Sequence, residues 1–131
     1  MADTSLTKKL GIKPGHKLLI LNAPEGYLDT LGALPEGTEI KTRAEGTFDL
    51  VQIFLYNKAD VDKYAQTGVQ AVKSGGLLWF TYPKKTAKIK SDITRDIGWG
   101  SVRAVGWRPV TQIAIDETWS ALRFRPESEV K

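Results

Sequence analysis

The sequence predicts a three-layer α/β fold with a mostly parallel sheet of about six strands and a C-terminal antiparallel hairpin. Three observations predict it. The apolar runs 18–21 and 77–80 are continuous, which is typical of strands buried on both faces of a parallel sheet. Segments with helical spacing stand between such runs, as in proteins whose helices cover both faces. The segment 107–124 instead alternates with period two, which indicates antiparallel pairing.

Length and composition limit the class of protein. The chain has 131 residues, no cysteine and one histidine. The length fits a single domain over 1–131, with 126–131 expected to be a frayed polar tail. The lack of cysteine excludes disulfides, cysteine-ligated metals and thiol catalysis, and one histidine excludes a multi-histidine metal site. The sequence contains no membrane-spanning run and no export signal, so we expect a cytoplasmic protein.

Turn residues delimit the elements of the first part of the chain. Gly11 ends a short predicted helix over 5–10, and a Pro-Gly turn leads into a strand at 17–22. A second short helix is predicted at 27–33, with its tyrosine and leucines available to face the sheet. A Pro-Glu-Gly turn then precedes a short strand at 38–42.

The middle of the chain carries the strongest periodicity. The strand predicted at 48–56 is rich in Leu, Ile, Val and Phe. Apolar residues then recur at helical spacing over 61–72, which indicates a helix with one buried face. We expect the Gly-Gly pair at 75–76 to end this helix, because glycine favours helix C-termini. The strand predicted at 76–82 follows directly.

The last part of the chain predicts one helix and a hairpin. Ser91 or Asp92 can cap a helix that runs toward Val105, although two glycines inside it lower its helix propensity. The strands predicted at 107–115 and 118–124 are separated by an Asp-Glu pair, which suits a hairpin turn.

Several segments resemble a known family. Lys-Pro-Gly at 13–15, Phe-Asp-Leu-Val at 48–51 and Val-Lys-Ser-Gly-Gly-Leu-Leu at 72–78 are similar to the skeleton of class I S-adenosylmethionine-dependent methyltransferases. More closely, the segments 21–27, 98–99, 106–110 and 116–124 resemble a bacterial family of uncharacterised proteins, the domain-of-unknown-function group numbered 3052. The resemblance covers about residues 6–126. It implies a truncated Rossmann-like (methyltransferase-like) architecture and brings no established activity.

The resemblance also implies a strand order and a ligand crevice. The implied spatial order is 38–42, 17–22, 48–56, 76–82 and then the hairpin, with its last strand inserted. Ligands of open α/β sheets bind beyond the carboxyl ends of the strands, where the strand order reverses. We therefore expect a crevice between Asn22 and Tyr56.

The cofactor residues of a methyltransferase are only partly present. Gly26 is the one glycine of the loop 22–26, and the proline in this loop has no N–H group to donate. Glu25, near the start of the next helix, repels a bound phosphate. The strand at 38–42 does not end in an acid, and no Asn-Pro-Pro-Tyr signature follows 48–56. If a cofactor binds, S-adenosylmethionine above all, we expect it to contact Asn22, Glu25, Gly26, Glu45 and Tyr56.

The charge is unevenly distributed. The segment 84–108 has seven Lys or Arg residues against two Asp and carries +5, whereas 25–62 carries −5. The lysine-rich loop, residues 84–90, follows the strand at 76–82 and is therefore expected at the ligand-binding edge of the sheet. The alternative to a binding site is that these charges form an ordinary face exposed to solvent. The candidate residues for an anion or a partner are Lys84, Lys85, Lys88, Lys90, Arg95 and Trp99, of which Trp99 is expected to line a pocket.

Two functions are consistent with these features. The first is a non-enzymatic regulatory or interaction module that binds a small anion or an acidic protein through the basic edge. The second is a divergent S-adenosylmethionine-dependent methyltransferase or nucleotide-binding enzyme. The sequence offers neither a catalytic constellation nor a metal site, and His16 is most simply a surface residue. Nucleic-acid binding is not favoured, because no motif for it is found.

Overall fold

A computed structural model describes residues 6–31, 34–85, 91–95 and 97–129. None of the described helices is long and apolar enough to cross a membrane. The strands are β1 Lys17–Leu21, β2 Glu39–Lys41, β3 Phe48–Phe54, β4 Val72–Pro83, β5 Trp107–Ala114 and β6 Trp119–Pro126. The helices are α1 Leu6–Leu10, α2 Tyr27–Leu31, α3 Lys58–Ala71 and α4 Gly100–Ala104, followed by a 3₁₀ helix, Glu127–Glu129.

The six strands form one mixed sheet in the order β2-β1-β3-β4-β6-β5. β1, β2, β3 and β4 pair in parallel, whereas β6 pairs antiparallel with both β4 and β5. The predicted strand order and the inserted last strand are therefore confirmed. β2 lies on one side of β1 and β3 lies on the other. The strand order therefore reverses at the border between β1 and β3.

Each face of the sheet has its own apolar core. On one face, α3 and α4 contribute Val61 and Val102, which pack in one cluster with Phe80 of β4. On the other face, α1 and α2 contribute Leu10 and Tyr27. All five of these side chains are buried. The structure is therefore three-layered, as the continuous apolar runs predict.

The Gly-Gly pair lies in a bulge of β4 and does not end α3, so that expectation is wrong. The helix ends at Ala71, and β4 begins at the next residue. Residues 73–76 stand opposite the single residue Asp49, between two regular strand pairs. Gly75 takes a φ of 79°, which suits a bulge, and a Cβ on Gly76 would lie 2.9 Å from the carbonyl oxygen of Asp49. Close approach to β3, and not helix termination, explains the second glycine.

The prediction of a helix that starts at Ser91 or Asp92 is wrong for the first half of that helix. The described part of this stretch forms turns, and helix α4 starts only at Gly100. The hydroxyl of Ser91 accepts a hydrogen bond from the Ile93 amide, so the side chain stabilises a local turn. Gly98 has a φ of 105°, which is incompatible with a right-handed helix.

Pro126 and Glu127 belong to the tail that was expected to fray, and both are joined to the sheet. β6 continues to Pro126, two residues beyond its expected end at 124. The amide of Glu127 donates to the carbonyl of Gly106 at 2.7 Å. The 3₁₀ helix that follows is therefore tied to the start of β5.

Candidate functional site

Asn22 links the two strands at which the strand order reverses. It follows the last residue of β1 and has a φ of 61°, a left-handed conformation that asparagine tolerates better than most residues. Its side-chain amide donates to the main-chain carbonyl of Phe54, the last residue of β3, at 2.9 Å. This hydrogen bond joins the carboxyl ends of β1 and β3, where the crevice was expected.

A cavity of about 430 Å³ lies beside the loop that leaves β1, which we call the loop cavity. The loop 22–26, the first residues of α2 and Thr42 beyond β2 line it. Gly26 has a φ of 84°, and no atom lies within 4 Å of the position that a Cβ would take there. Three of the predicted cofactor residues, Asn22, Glu25 and Gly26, are therefore brought together at the carboxyl edge of the sheet.

The polar groups of the loop cavity are mainly acceptors of hydrogen bonds. Glu25 and Asp29 contribute carboxylates and Thr42 a hydroxyl, and all three residues are exposed. Among the described residues that line the cavity, none is a lysine or an arginine. Such a lining suits hydroxyl groups and cations, whereas phosphate groups would meet like charge.

A buried polar network fixes the start of α2 to the sheet. The hydroxyl of Tyr27 donates to the Gln52 side-chain oxygen at 2.8 Å, and the Gln52 amide donates to Thr81 at 3.0 Å. Burial raises the pKa of the Tyr27 phenol well above its ordinary value, so this group remains a donor at neutral pH. No pattern in the sequence predicts this network. The only signal of it is one glutamine within the apolar run 48–56.

Two predicted cofactor residues, Glu45 and Tyr56, lie outside the loop cavity. Glu45 is exposed and pairs with Arg43 at 3.6 Å, and both line a neighbouring cavity of about 420 Å³ beside β2, which shares Thr42 with the loop cavity. The ring of Tyr56 packs edge-on against Trp119, with 5.2 Å between ring centroids. The structure therefore does not bring these two residues into the lining of the loop cavity, and their contact with a cofactor stays a prediction.

The basic edge is brought together in part. Lys84, Lys85 and Arg95 line one cavity of about 570 Å³, which we call the basic cavity. The Lys84 amide donates to the carbonyl of Thr118 at 2.7 Å, which anchors the start of the lysine-rich loop on the hairpin. Within the described part of its lining, the basic cavity has no Asp or Glu. Lys88 and Lys90 lie outside the described residues.

The loop cavity and the basic cavity lie on opposite faces of the sheet. Tyr82 and Ile93, which line the basic cavity, belong to the core beneath α3 and α4. Ile20 and Tyr27, which line the loop cavity, belong to the core beneath α1 and α2. The two are therefore separate candidate sites, and they differ in charge.

Trp99 is a core residue, so the expectation that it lines a pocket is wrong. Its side chain is only 1% exposed, and its indole nitrogen donates to the carbonyl of Thr94 at 2.8 Å. Its ring packs against Phe80, Tyr82 and Phe124 at centroid distances of 5.1 to 6.0 Å. The turns that replace the predicted helix carry the ring inward.

Several solved structures are similar to this chain in fold, and methyltransferases are among them. A SAM-dependent methyltransferase from Aquifex aeolicus has a TM-score of 0.62 at 13% identity, over 89% of this chain and 85% of that chain. The ribosomal protein L11 methylase from Lactobacillus delbrueckii subsp. bulgaricus has a TM-score of 0.59 at 8% identity, over 92% and 74%. DhpI, solved as a complex with SAH, has a TM-score of 0.62 at 13% identity, over 94% and 82%.

At identities of this level, the likeness establishes a methyltransferase-like fold and nothing about activity. No protein-family model matches the sequence, and no curated protein matches it. Membership of the group numbered 3052 therefore stays a prediction.

Proposed function

We propose that this protein binds S-adenosylmethionine in the loop cavity and is a divergent S-adenosylmethionine-dependent methyltransferase. One observation carries the proposal: the cavity lies beyond the carboxyl ends of β1 and β2 and is lined by carboxylates without a described lysine or arginine. This is the edge at which open α/β sheets bind their ligands. The methyltransferases of the same fold, and the DhpI complex with SAH, add support. Membership of the group numbered 3052 is part of the same proposal.

The residues that line the loop cavity fit the chemistry of this cofactor. Glu25 and Asp29 can accept hydrogen bonds from ribose hydroxyls or from the ammonium group, and their charge favours the sulfonium centre. Gly26 leaves open space beside the main chain, so a ligand can approach the backbone closely. When bound, the cofactor supplies an electrophilic methyl group.

The same charges separate this cofactor from nucleotides. ATP or a dinucleotide would place several phosphate charges near Glu25 and Asp29, and no described lysine or arginine in the lining would offset them. S-adenosylmethionine carries no phosphate. We therefore expect the loop cavity to prefer the sulfonium nucleoside and its demethylated product over ATP.

A thermal-shift assay tests this preference. A ligand at 100 times its Kd raises the free energy of unfolding by about 2.7 kcal/mol if it binds only the folded chain. We expect S-adenosylmethionine and its demethylated product to raise the Tm through the loop cavity, and any Tm shift with ATP not to depend on Asp29. Asp29→Asn should reduce the shift, whereas Glu36→Gln, which removes an exposed carboxylate outside the loop cavity, should not. A Tm unchanged by S-adenosylmethionine at millimolar concentration contradicts the proposal.

A second candidate function rests on the basic cavity. Lys84, Lys85 and Arg95 line the same space, which supports binding of an anionic ligand or an acidic partner without catalysis. Citrate is a suitable probe because it carries three carboxylates. We expect its binding to weaken with salt and to be lost in the double variant Lys84→Ala with Lys85→Ala. Lys13→Ala with Lys63→Ala removes the same charge elsewhere and should bind normally; equal binding by both variants would refute this function.

A further inference from the structure

Arg123 of β6 carries a buried donor that lacks a hydrogen-bond partner. Its Nε atom is inaccessible to solvent, and no described residue accepts a hydrogen bond from it. Buried polar atoms in native proteins are nearly always paired, and an unpaired one is costly, more so when it belongs to a charged group. Because Nε is closed to solvent, a ligand can reach Arg123 only through the terminal N–H groups of its guanidinium.

The charges around Arg123 are unbalanced. Arg125, two residues along the strand, lies on the same face of β6. Burial, and secondarily the charge of Arg125, lower the pKa of the Arg123 guanidinium. Arg125 pairs with Glu129 at 3.3 Å, and Lys73 pairs with Asp49. Among the described residues these pairs leave the positive charge of Arg123 without a carboxylate.

A small cavity adjoins these cations. Its volume is about 120 Å³, and its lining includes Lys73, Arg123, Arg125, Glu129 and Trp107. The main chain of the β4 bulge forms another wall, where Gly75 has no side chain and leaves open space. Because β4 begins here, this pocket lies at the amino end of that strand, opposite to the edge that holds the loop cavity.

We infer that this amino-end pocket binds a single oxoanion group of the size of phosphate or sulfate. The volume suits one such group and not a nucleotide. A guanidinium matches the geometry of two oxoanion oxygens, so the group can accept from Arg123 and offset its charge. The inference goes beyond the proposed function: this pocket and the loop cavity share no lining residue, so either site can exist without the other.

Titration with sodium phosphate at constant ionic strength, followed by ¹H–¹⁵N correlation spectra, tests the inference. We expect saturable shifts of the Gly75 and Gly76 amides and of the Trp107 indole. Arg123→Gln should weaken binding by about tenfold or more, as expected for the loss of a charged hydrogen bond. Arg103→Gln, an exposed arginine of α4, is the matched control and should bind as the wild type does.

A second variant and a second phosphate compound complete the test. If Arg123→Gln does not fold, Arg125→Gln carries the same expectation. Glycerol phosphate distinguishes free phosphate from the phosphoryl group of a larger molecule, and binding of either supports the inference. Shifts that sodium chloride reproduces at equal ionic strength would overturn it, as would unchanged phosphate affinity in the Arg123 or Arg125 variants that fold.

Discussion

The Tyr27 hydroxyl donates to the side-chain oxygen of Gln52 at 2.8 Å and so ties the first residue of α2 to β3, one of the two central strands of the sheet. Tyr27 directly follows the loop that lines the loop cavity, so this contact positions the proposed cofactor site. The Tyr27 amide also donates to the carbonyl of Pro24, inside the same loop.

Tyr27→Phe is predicted to destabilise the fold. The change leaves the buried oxygen of Gln52 without its donor, which costs about 1 to 3 kcal/mol. Urea unfolding monitored by circular dichroism measures the loss. Tyr64→Phe, at a half-buried position on α3, serves as the control. Equal stability of Tyr27→Phe and the wild type would mean that the hydrogen bond contributes nothing.

Substitutions of Asn22 are predicted to separate its two roles. Asn22→Gly removes the hydrogen bond to Phe54 but keeps a residue that tolerates the left-handed backbone. Asn22→Ala removes the bond and adds conformational strain of about 1 to 2 kcal/mol. We therefore expect the alanine variant to be the less stable of the two in chemical denaturation, although alanine is elsewhere the more favourable residue. The opposite order would contradict the left-handed conformation of Asn22.

Asp49 is predicted to make part of the stability dependent on pH. The Lys73 ammonium and, next, the Lys17 amide hold the pKa of its carboxyl below its usual range. A lowered pKa in the folded state means that the carboxylate stabilises the fold above its unfolded-state pKa, about 4. This contribution is lost as the pH falls from that value through the folded-state pKa.

Asp49→Asn is therefore predicted to lower the free energy of unfolding by about 1 kcal/mol at pH 7, because it removes a charged acceptor of the Lys17 amide. The difference from the wild type should shrink below pH 4, where the aspartate also becomes neutral. Denaturation at a series of pH values measures it, with the exposed Glu117→Gln as the control. A difference that stays constant down to pH 2 would refute the assigned role of the charge.

The layers and the strand order could be predicted because the main apolar runs are buried on both faces of the sheet. Leu18 and Leu19, adjacent in β1, are both fully buried and face different cores. Such continuous burial leaves a strong signal in the sequence. The end of helix α3 left a weaker signal, because a Gly-Gly pair suits both a helix end and a strand bulge.

Three of the five predicted cofactor residues line the loop cavity, and two do not. Asn22 and Gly26 follow from the position of the first strand end. The position of the Tyr56 ring depends instead on its contact with Trp119, which lies far away in the sequence. The helix expected over 91–105 had suitable periodicity, but local hydrogen bonds and a left-handed glycine outweigh it.

Calorimetric titration of S-adenosylmethionine into the purified chain is the most direct test of the proposed cofactor site. The expected result is saturable binding to one site with a Kd of about 0.1 mM or below, a binding free energy of about −5.5 kcal/mol or stronger. Asp29→Asn is expected to weaken S-adenosylmethionine binding and to leave any binding of ATP unchanged. Absence of saturable heat with S-adenosylmethionine at millimolar concentration, or equal S-adenosylmethionine binding by Asp29→Asn and the wild type, would contradict the assignment of the loop cavity.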